Sequence, residues 1–550
     1  GLAFEAVMRL YRLFRQHPND SRVAGYFLSA LLLSENISGR LAVDTVKSGA
    51  AVRLTRDGDT RWLAVEVDGL PALISWPEVV PPDSPQAVSI AGKRAGDKVF
   101  FDAGVNRVEY EIDGIEHILL FASRKAHELI AANAIPAGPL WSVRVIKESG
   151  EPDIEAIRES LVARSKYVEG VVETYKERKF PICRLADALG TDIVSLLFEW
   201  PYRHAEMFVS RGTVEEREVE RDVLRKPGAR YVLDLLTLAE LQRWGVLLTA
   251  CDMLGRPFVP QTAKEQLLGM LQTVERPKPE ANMREEDGQL IWTDIPASYF
   301  AQRKEFLLSV LSAIDNRCEL VPAFGPPRLN RTLQLLPQIV DAASLDTVYI
   351  ALEHEALLIS EDATMRLLSS EAGVRGSAGV QPLLMNLRDE GRLERNEYSR
   401  IVLSKLASGH DFVSVDAHDL YWAVKQANEQ QTRLFKSALN SFRRPTVDLQ
   451  SVVLVCAEFL RLSAQDLPVK TVGTLYRDCL DVLSDGRDSI KDRIAQVFRR
   501  GMIITLSHLP SPRAKAVRNE IGELLIEPPV RSPRLKPLVI AIRRALYNED

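Results

Sequence analysis

The segment Gly228 to Leu241, GARYVLDLLTLAEL, constrains the fold more than any other stretch of the chain. A short apolar run, Tyr231-Val232-Leu233, ends at Asp234, and a helical pattern begins directly after it. A carboxylate at the carboxyl end of a strand, at the turn into a helix, is where open α/β sheets place their chemistry. The same unit recurs at Ala356 to Arg366, ALLISEDATMR, where a strand Leu357–Ser360 delivers Glu361 and Asp362 to the start of another helix. Two strand ends that both present acids point to a metal site.

From Gly228 to about residue 426 strands and helices alternate, which predicts a parallel sheet with helices on both faces. The strand candidates are Tyr231–Leu233, Pro257–Val259, Leu320–Pro322, Leu357–Ser360 and Phe412–Val415. Thr262 and Glu265 have the spacing of a capping box at the start of the helix that follows Val259. Asp346 opens a predicted helix that leads into the strand before Asp362. These two acids are 362 − 346 = 16 residues apart, one helix plus one strand, which brings both to one sheet edge. Each of Asp234, Asp346 and Asp362 also stands at a helix start, where an aspartate caps free N–H groups. Capping and metal binding are therefore both open for them. Glu361 is either a substitute ligand for Asp362 or plain surface.

A chain of 550 residues is too long for one core, so two to four domains are expected. Its hydrophobic content of 46% and charged content of 26% are those of ordinary globular protein. The net charge of −5 excludes a global basic field, so any nucleic-acid contact must be local. Five cysteines without a CxxC pair exclude a zinc ribbon and suggest a reducing compartment, which points to the cytoplasm. No apolar run is long enough for a transmembrane helix. The chain begins at Gly1 inside what reads as a helix, as a piece of a longer protein would.

Residues 1–40 read as a helical hairpin, either the end of a repeat array or a cap on the next domain. Residues 44–122 alternate in hydrophobicity, with Asp57-Gly58 as a hairpin turn and further strands at Lys98–Phe101 and Arg107–Ile112. This is a small antiparallel β domain. Residues 125–225 read as a helical connector, including a short helix closed by Gly190, and residues 427–550 as an α-helical domain. Arg443 and Arg444, and Arg531 to Lys536, are basic and are solvated surface or contacts to nucleic acid or polymerase.

Three resemblances organise these pieces. The hairpin 1–40 resembles the end of a tetratricopeptide array. Ser84-Pro85, Ala87, Gly92-Lys93, Gly96-Asp97 and Val99, followed by Tyr110-Glu111-Ile112, resemble the carboxyl-terminal domain of the Gre transcript-cleavage factors. That resemblance implies an FKBP-like fold over 44–122 and docking to RNA polymerase. The amino-terminal coiled coil that carries the Gre family's own activity has no counterpart before Asp44. Asp234, Glu265, Asp346 and Asp362 follow the order of acids in the PIN-domain ribonucleases, within residues 228–426. The long insertion between Glu265 and Asp346 departs from that pattern.

The PIN resemblance implies a metal-dependent endoribonuclease in which these four acids bind Mg²⁺ or Mn²⁺, ions that prefer hard oxygen ligands. Arg366, Arg375 and the stretch Arg388 to Arg395 are the basic side chains near the site, each either a contact to RNA phosphates or a solvated face. The combined architecture implies a stress or antiphage-defence effector acting on RNA near the transcription machinery. The competing class is an inactive PIN and Gre scaffold that links RNA polymerase or other partners.

Overall fold

The computed structural model describes residues 2–34, 38–67, 76–103, 106–132, 153–200, 205–275, 281–286, 289–425, 428–444, 447–485, 491–507 and 512–523. The chain divides into two compact units, residues 1–168 with 284–290, and residues 169–283 with 291–550.

In the first unit, β1 (Ala50–Arg56) and β2 (Asp59–Val65) form the expected hairpin. Asp57 and Gly58 both take positive φ, 52° and 90°, the pair of left-handed residues that matches a tight turn to the twist of its strands. β3 (Val79–Val80), β4 (Lys98–Ala103) and β5 (Asn106–His117) complete a sheet of order β3-β2-β1-β5-β4. All its pairings are antiparallel except β2 with β3.

Alternate residues serve opposite faces, as the pleat dictates. Val52, Leu54, Leu63 and Val65 pack with Ile90, Val99 and Ile112. Ala51 and Ala64 pack instead with Val7, Tyr11, Phe14, Phe27 and Phe121 from the helices Leu2–Gln16, Ser21–Leu33 and Ile118–Ala132. The amino-terminal helices thus share a core with the sheet. A buried knot reinforces the junction: the fully buried Glu66 accepts from the Tyr11 hydroxyl and from Arg15 Nε, both at 2.7 Å.

The second unit holds the parallel sheet, built from β6 (Tyr231–Leu233), β7 (Phe258–Pro260), β10 (Glu319–Val321), β11 (Leu357–Ile359) and β12 (Ser377–Ala378). A separate hairpin of β8 (Ala281–Glu286) and β9 (Gln289–Asp294) lies in the chain between β7 and β10. The sheet order is β10-β7-β6-β11-β12, all parallel. The chain runs outward from β6 on one side and returns to continue on the other. Its topological switch point lies between β6 and β11, where such sheets open a crevice at their carboxyl ends.

Four of the five expected strands form within a residue or so of the expected positions. Phe412–Val415 does not form one. Phe412 has φ 52°, which breaks an extended run, and the Ser414 N–H donates to the Gln381 side chain at 2.8 Å. The segment lines a cavity of about 400 Å³ together with Arg217, Glu361 and Lys405. The fifth strand is the two-residue β12, held by the pairing of Leu358 with Ser377.

The helix Ile182–Leu189 is closed by Gly190 at φ 68°, as its sequence predicts. The carboxyl-terminal helices are Glu429–Phe442, Leu449–Asp466, Val469–Ser484, Lys491–Ser507 and Pro512–Glu523. Arg443 pairs with Asp485 at 2.7 Å and Arg444 with Asp411 at 2.9 Å, so neither guanidinium is a free basic contact. The basic segment Arg531 to Lys536 lies outside the described residues.

Candidate active site

β6 and β11 are neighbours, with Leu233 beside Ile359. The next residues are Asp234 on one strand and Ser360 on the other, and the Ser360 hydroxyl donates to Asp234 Oδ2. Asp234 Oδ1 accepts from the Thr237 N–H at 2.7 Å and so caps the helix Leu235–Arg243. Asp234 is only 4% exposed, and burial raises its carboxyl above the ordinary range against the pull of these hydrogen bonds.

Asp362 caps the helix Ala363–Ala372 through Oδ1, which accepts from Thr364 N at 2.8 Å and Met365 N at 3.3 Å. Its Oδ2 accepts from the Ile182 N–H at 2.6 Å. Burial pushes the Asp362 carboxyl up to about 6; the Ile182 bond opposes this and the charge of Asp234 adds to it. The two acids thus feel each other across the switch point.

Asp346 and Glu265 stand differently. Asp346 lies one turn inside its helix, Ala342–Glu353, whose cap is Asp341 through the Ser344 N–H at 2.8 Å. The Thr262 hydroxyl donates to Asp346 at 2.7 Å, so Thr262 is no N-cap; its own helix already begins at Gln261. Burial raises the Asp346 carboxyl, and the charges of Glu353, Glu265 and Asp341 add to it. Glu265 is exposed and accepts from the Gln261 side chain at 2.9 Å. Among the described residues, the four acids do not form a group whose ligand atoms all lie within 4.8 Å of one another.

The basic side chains are corrected by the structure. Arg366, expected to meet phosphate, is 5% exposed. Its guanidinium donates to the carbonyls of Ser360 and Val209, both at 2.8 Å, and pairs with Glu220 at 3.0 Å and Glu216 at 3.4 Å. Two glutamates of the helix Val214–Leu224 have taken it into the interior. Gly379 leaves room for it: a Cβ there would lie 3.3 Å from Arg366 Nη1. Arg375 remains exposed, in a two-pronged pair with Glu355 at 2.5 and 2.7 Å.

A further cluster went unread in the sequence. Lys405, fully buried, donates to Glu240 Oε1 at 2.8 Å and to Glu361. His410 Nε2 lies 2.7 Å from Glu240 Oε1, and Trp244 Nε1 donates to the same oxygen at 2.8 Å. Burial alone would raise Glu240, but Lys405 and His410 outweigh it and hold the carboxyl well below its usual range. Burial likewise works against the Lys405 charge, and Glu240 and Glu361 outweigh it to raise the ammonium. Glu361 is therefore not surface. The signal was present, since Glu240 and Lys405 each interrupt an apolar helical run. The atoms of Glu240, Glu361 and His410 are close enough to hold a metal ion, but Lys405 already supplies the positive charge there.

The family model of the PIN domain associated with the TPR-GreAB-C-PIN system matches residues 232–371. This region is a PIN domain. PIN domains are generally nucleases and typically use divalent metals. The match begins at β6 and ends in the helix after Asp362, so it spans all four acids. No curated protein and no solved structure matches the chain.

Proposed function

We propose that the PIN domain is a metal-dependent endoribonuclease, coupled through a Gre-like docking domain at residues 44–122 to RNA polymerase. In this reading the protein is a cytoplasmic stress or antiphage-defence effector. The observation that carries the nuclease is the placement of Asp234 and Asp362 at adjacent strand ends, at the switch point of a PIN sheet. An all-oxygen donor set fits Mg²⁺ or Mn²⁺. Asp234 and Asp362 would hold the ion, with Asp346 and Glu265 completing the set from the helical side. When bound, such an ion activates water and stabilises the leaving oxygen of a phosphodiester. Ser360 and the first-turn N–H groups of the two capped helices fix the orientation of the carboxylates. Arg375 gives no phosphate contact in this reading: it lies just before β12 and pairs with Glu355 just before β11, at the amino-terminal edge of the parallel sheet, opposite the acids.

The experiment is RNA cleavage with and without Mn²⁺, beside Asp234→Asn and Asp362→Asn. Metal-dependent cleavage by the parent protein and none by either variant is the expected result. Undiminished cleavage by Asp234→Asn would sink the assignment.

A second reading, an inactive scaffold, has its own support: all four carboxylate oxygens of Asp234 and Asp362 already accept hydrogen bonds from the protein. Absence of cleavage together with absence of stabilisation by Mn²⁺ would favour it.

A further inference from the structure

We propose that residues 179–189 are an internal plug: they sit on the carboxylate edge of the PIN domain and must move before Asp362 can take a divalent cation. The inference rests on the metal-dependent reading given above.

Two of the bonds to Asp362 are local. The N–H groups of Thr364 and Met365 belong to the helix it caps, and they leave Oδ2 free. The third is remote. Ile182, 180 positions away in the chain, aims its N–H at Oδ2 from 2.6 Å. A second tie pins the same segment, because the Thr364 hydroxyl donates to the Lys179 carbonyl. Ile182, Cys183, Leu185 and Ala186 are buried, so this segment helps to close the acids off from water. The buried Cys183 thiol feels the charges of Asp341 and Asp362. The plug therefore reaches the starts of two acid-bearing helices together.

Its chemistry is that of a weak stand-in. Ile182 is the first residue of the eight-residue helix Ile182–Leu189, so the N–H on Asp362 belongs to a helix amino terminus. Such a terminus carries roughly half a positive charge, far less than a dication. A metal ion arriving at Asp362 competes with it for the same oxygen. The helix is bounded by Pro181 and Gly190, which lets it leave as one piece.

The test uses the full chain and Mn²⁺ alone. Hydrogen–deuterium exchange of residues 180–189 is followed as Mn²⁺ is added. Mn²⁺ affinity is read from thermal shifts of the parent, Ile182→Pro and Thr364→Val. Proline at 182 removes the donated N–H at a helical position that tolerates it, and Pro181 already has the ψ of 142° that a following proline demands. Thr364→Val removes only the tie to Lys179 and keeps the cap, so it covers a folding failure of the first variant. The plug predicts that Mn²⁺ speeds exchange at 180–189 in the parent protein. It also predicts tighter Mn²⁺ binding in Ile182→Pro by about tenfold, the worth of one hydrogen bond to a charged group, with a smaller gain in Thr364→Val. Equal Mn²⁺ binding by all three proteins, with protection at 180–189 unchanged, overturns the plug and leaves the metal site standing. No Mn²⁺ binding by any of them overturns both.

Discussion

Two groups of buried carboxylates lie at or near the switch point of the same small sheet, and the PIN domain treats them in opposite ways. Glu240 and Glu361 face a fixed cation, the Lys405 ammonium. Asp234 and Asp362 face only N–H and O–H dipoles. The first arrangement lowers Glu240, and the second leaves both aspartates raised. A fixed cation makes a group structural, since a positive charge within the chain already meets the carboxylates. Dipoles alone leave negative charge to be balanced from outside. The contrast separates the two groups more sharply than residue type does.

The largest effect should come from removing the fixed cation. Lys405→Met strands two buried carboxylates and should cost about 3–5 kcal/mol of stability by chemical denaturation. A loss below about 1 kcal/mol would mean that the cluster is not balanced by Lys405.

The next effect is one of pH. Glu220, buried against Arg366, is pushed up to about 7, chiefly by burial. A raised carboxyl favours the neutral form in the folded state. Its contribution is whole below the unfolded value near 4.5 and is lost as pH rises towards 7. At about 1.4 kcal/mol per unit the window is worth on the order of 3 kcal/mol. Glu220→Gln should flatten the fall in stability between pH 5 and 7.5, and an unchanged slope would place the titration elsewhere.

On the other side of the comparison, Asp234→Asn should change stability by no more than about 1 kcal/mol, because asparagine caps a helix as well as aspartate does. A large loss would make Asp234 a structural residue like Glu240. The smallest effect belongs to the surface: Arg375→Ala breaks an exposed pair with Glu355 and should move stability by less than about 0.5 kcal/mol in the same melts.

The parallel sheet was legible because each of its main strands is a short apolar run ending in a polar or turn residue. Asp57-Gly58 was legible because few other pairs fit the turn. The failures share a cause. β12 is two residues long, and no periodicity resolves so short a strand. Phe412–Val415 has strand composition, yet a left-handed backbone at Phe412 overrides it. The capping role foreseen for Asp234 and Asp362 is observed, whereas at the third acid it belongs to Asp341, five residues before Asp346. Arg366 and Lys405 look alike in sequence to any solvated base. Only the partners brought by distant helices, Glu216 and Glu220 for one and Glu240 with Glu361 for the other, turn them inward. Such long-range pairings are the information that a single sequence does not carry locally.

The knot at Glu66 limits how the amino-terminal unit can be taken apart. Tyr11 and Arg15 lie on the first helix, and the carboxylate they satisfy lies just past β2. A truncation that starts at Asp44 to isolate the sheet would leave an acid with neither its hydroxyl nor its guanidinium. It would also strip the aromatic cover from Ala51 and Ala64. A poorly behaved fragment of that kind would say nothing about whether the sheet binds a partner. Binding experiments on this region need the two helices that precede it.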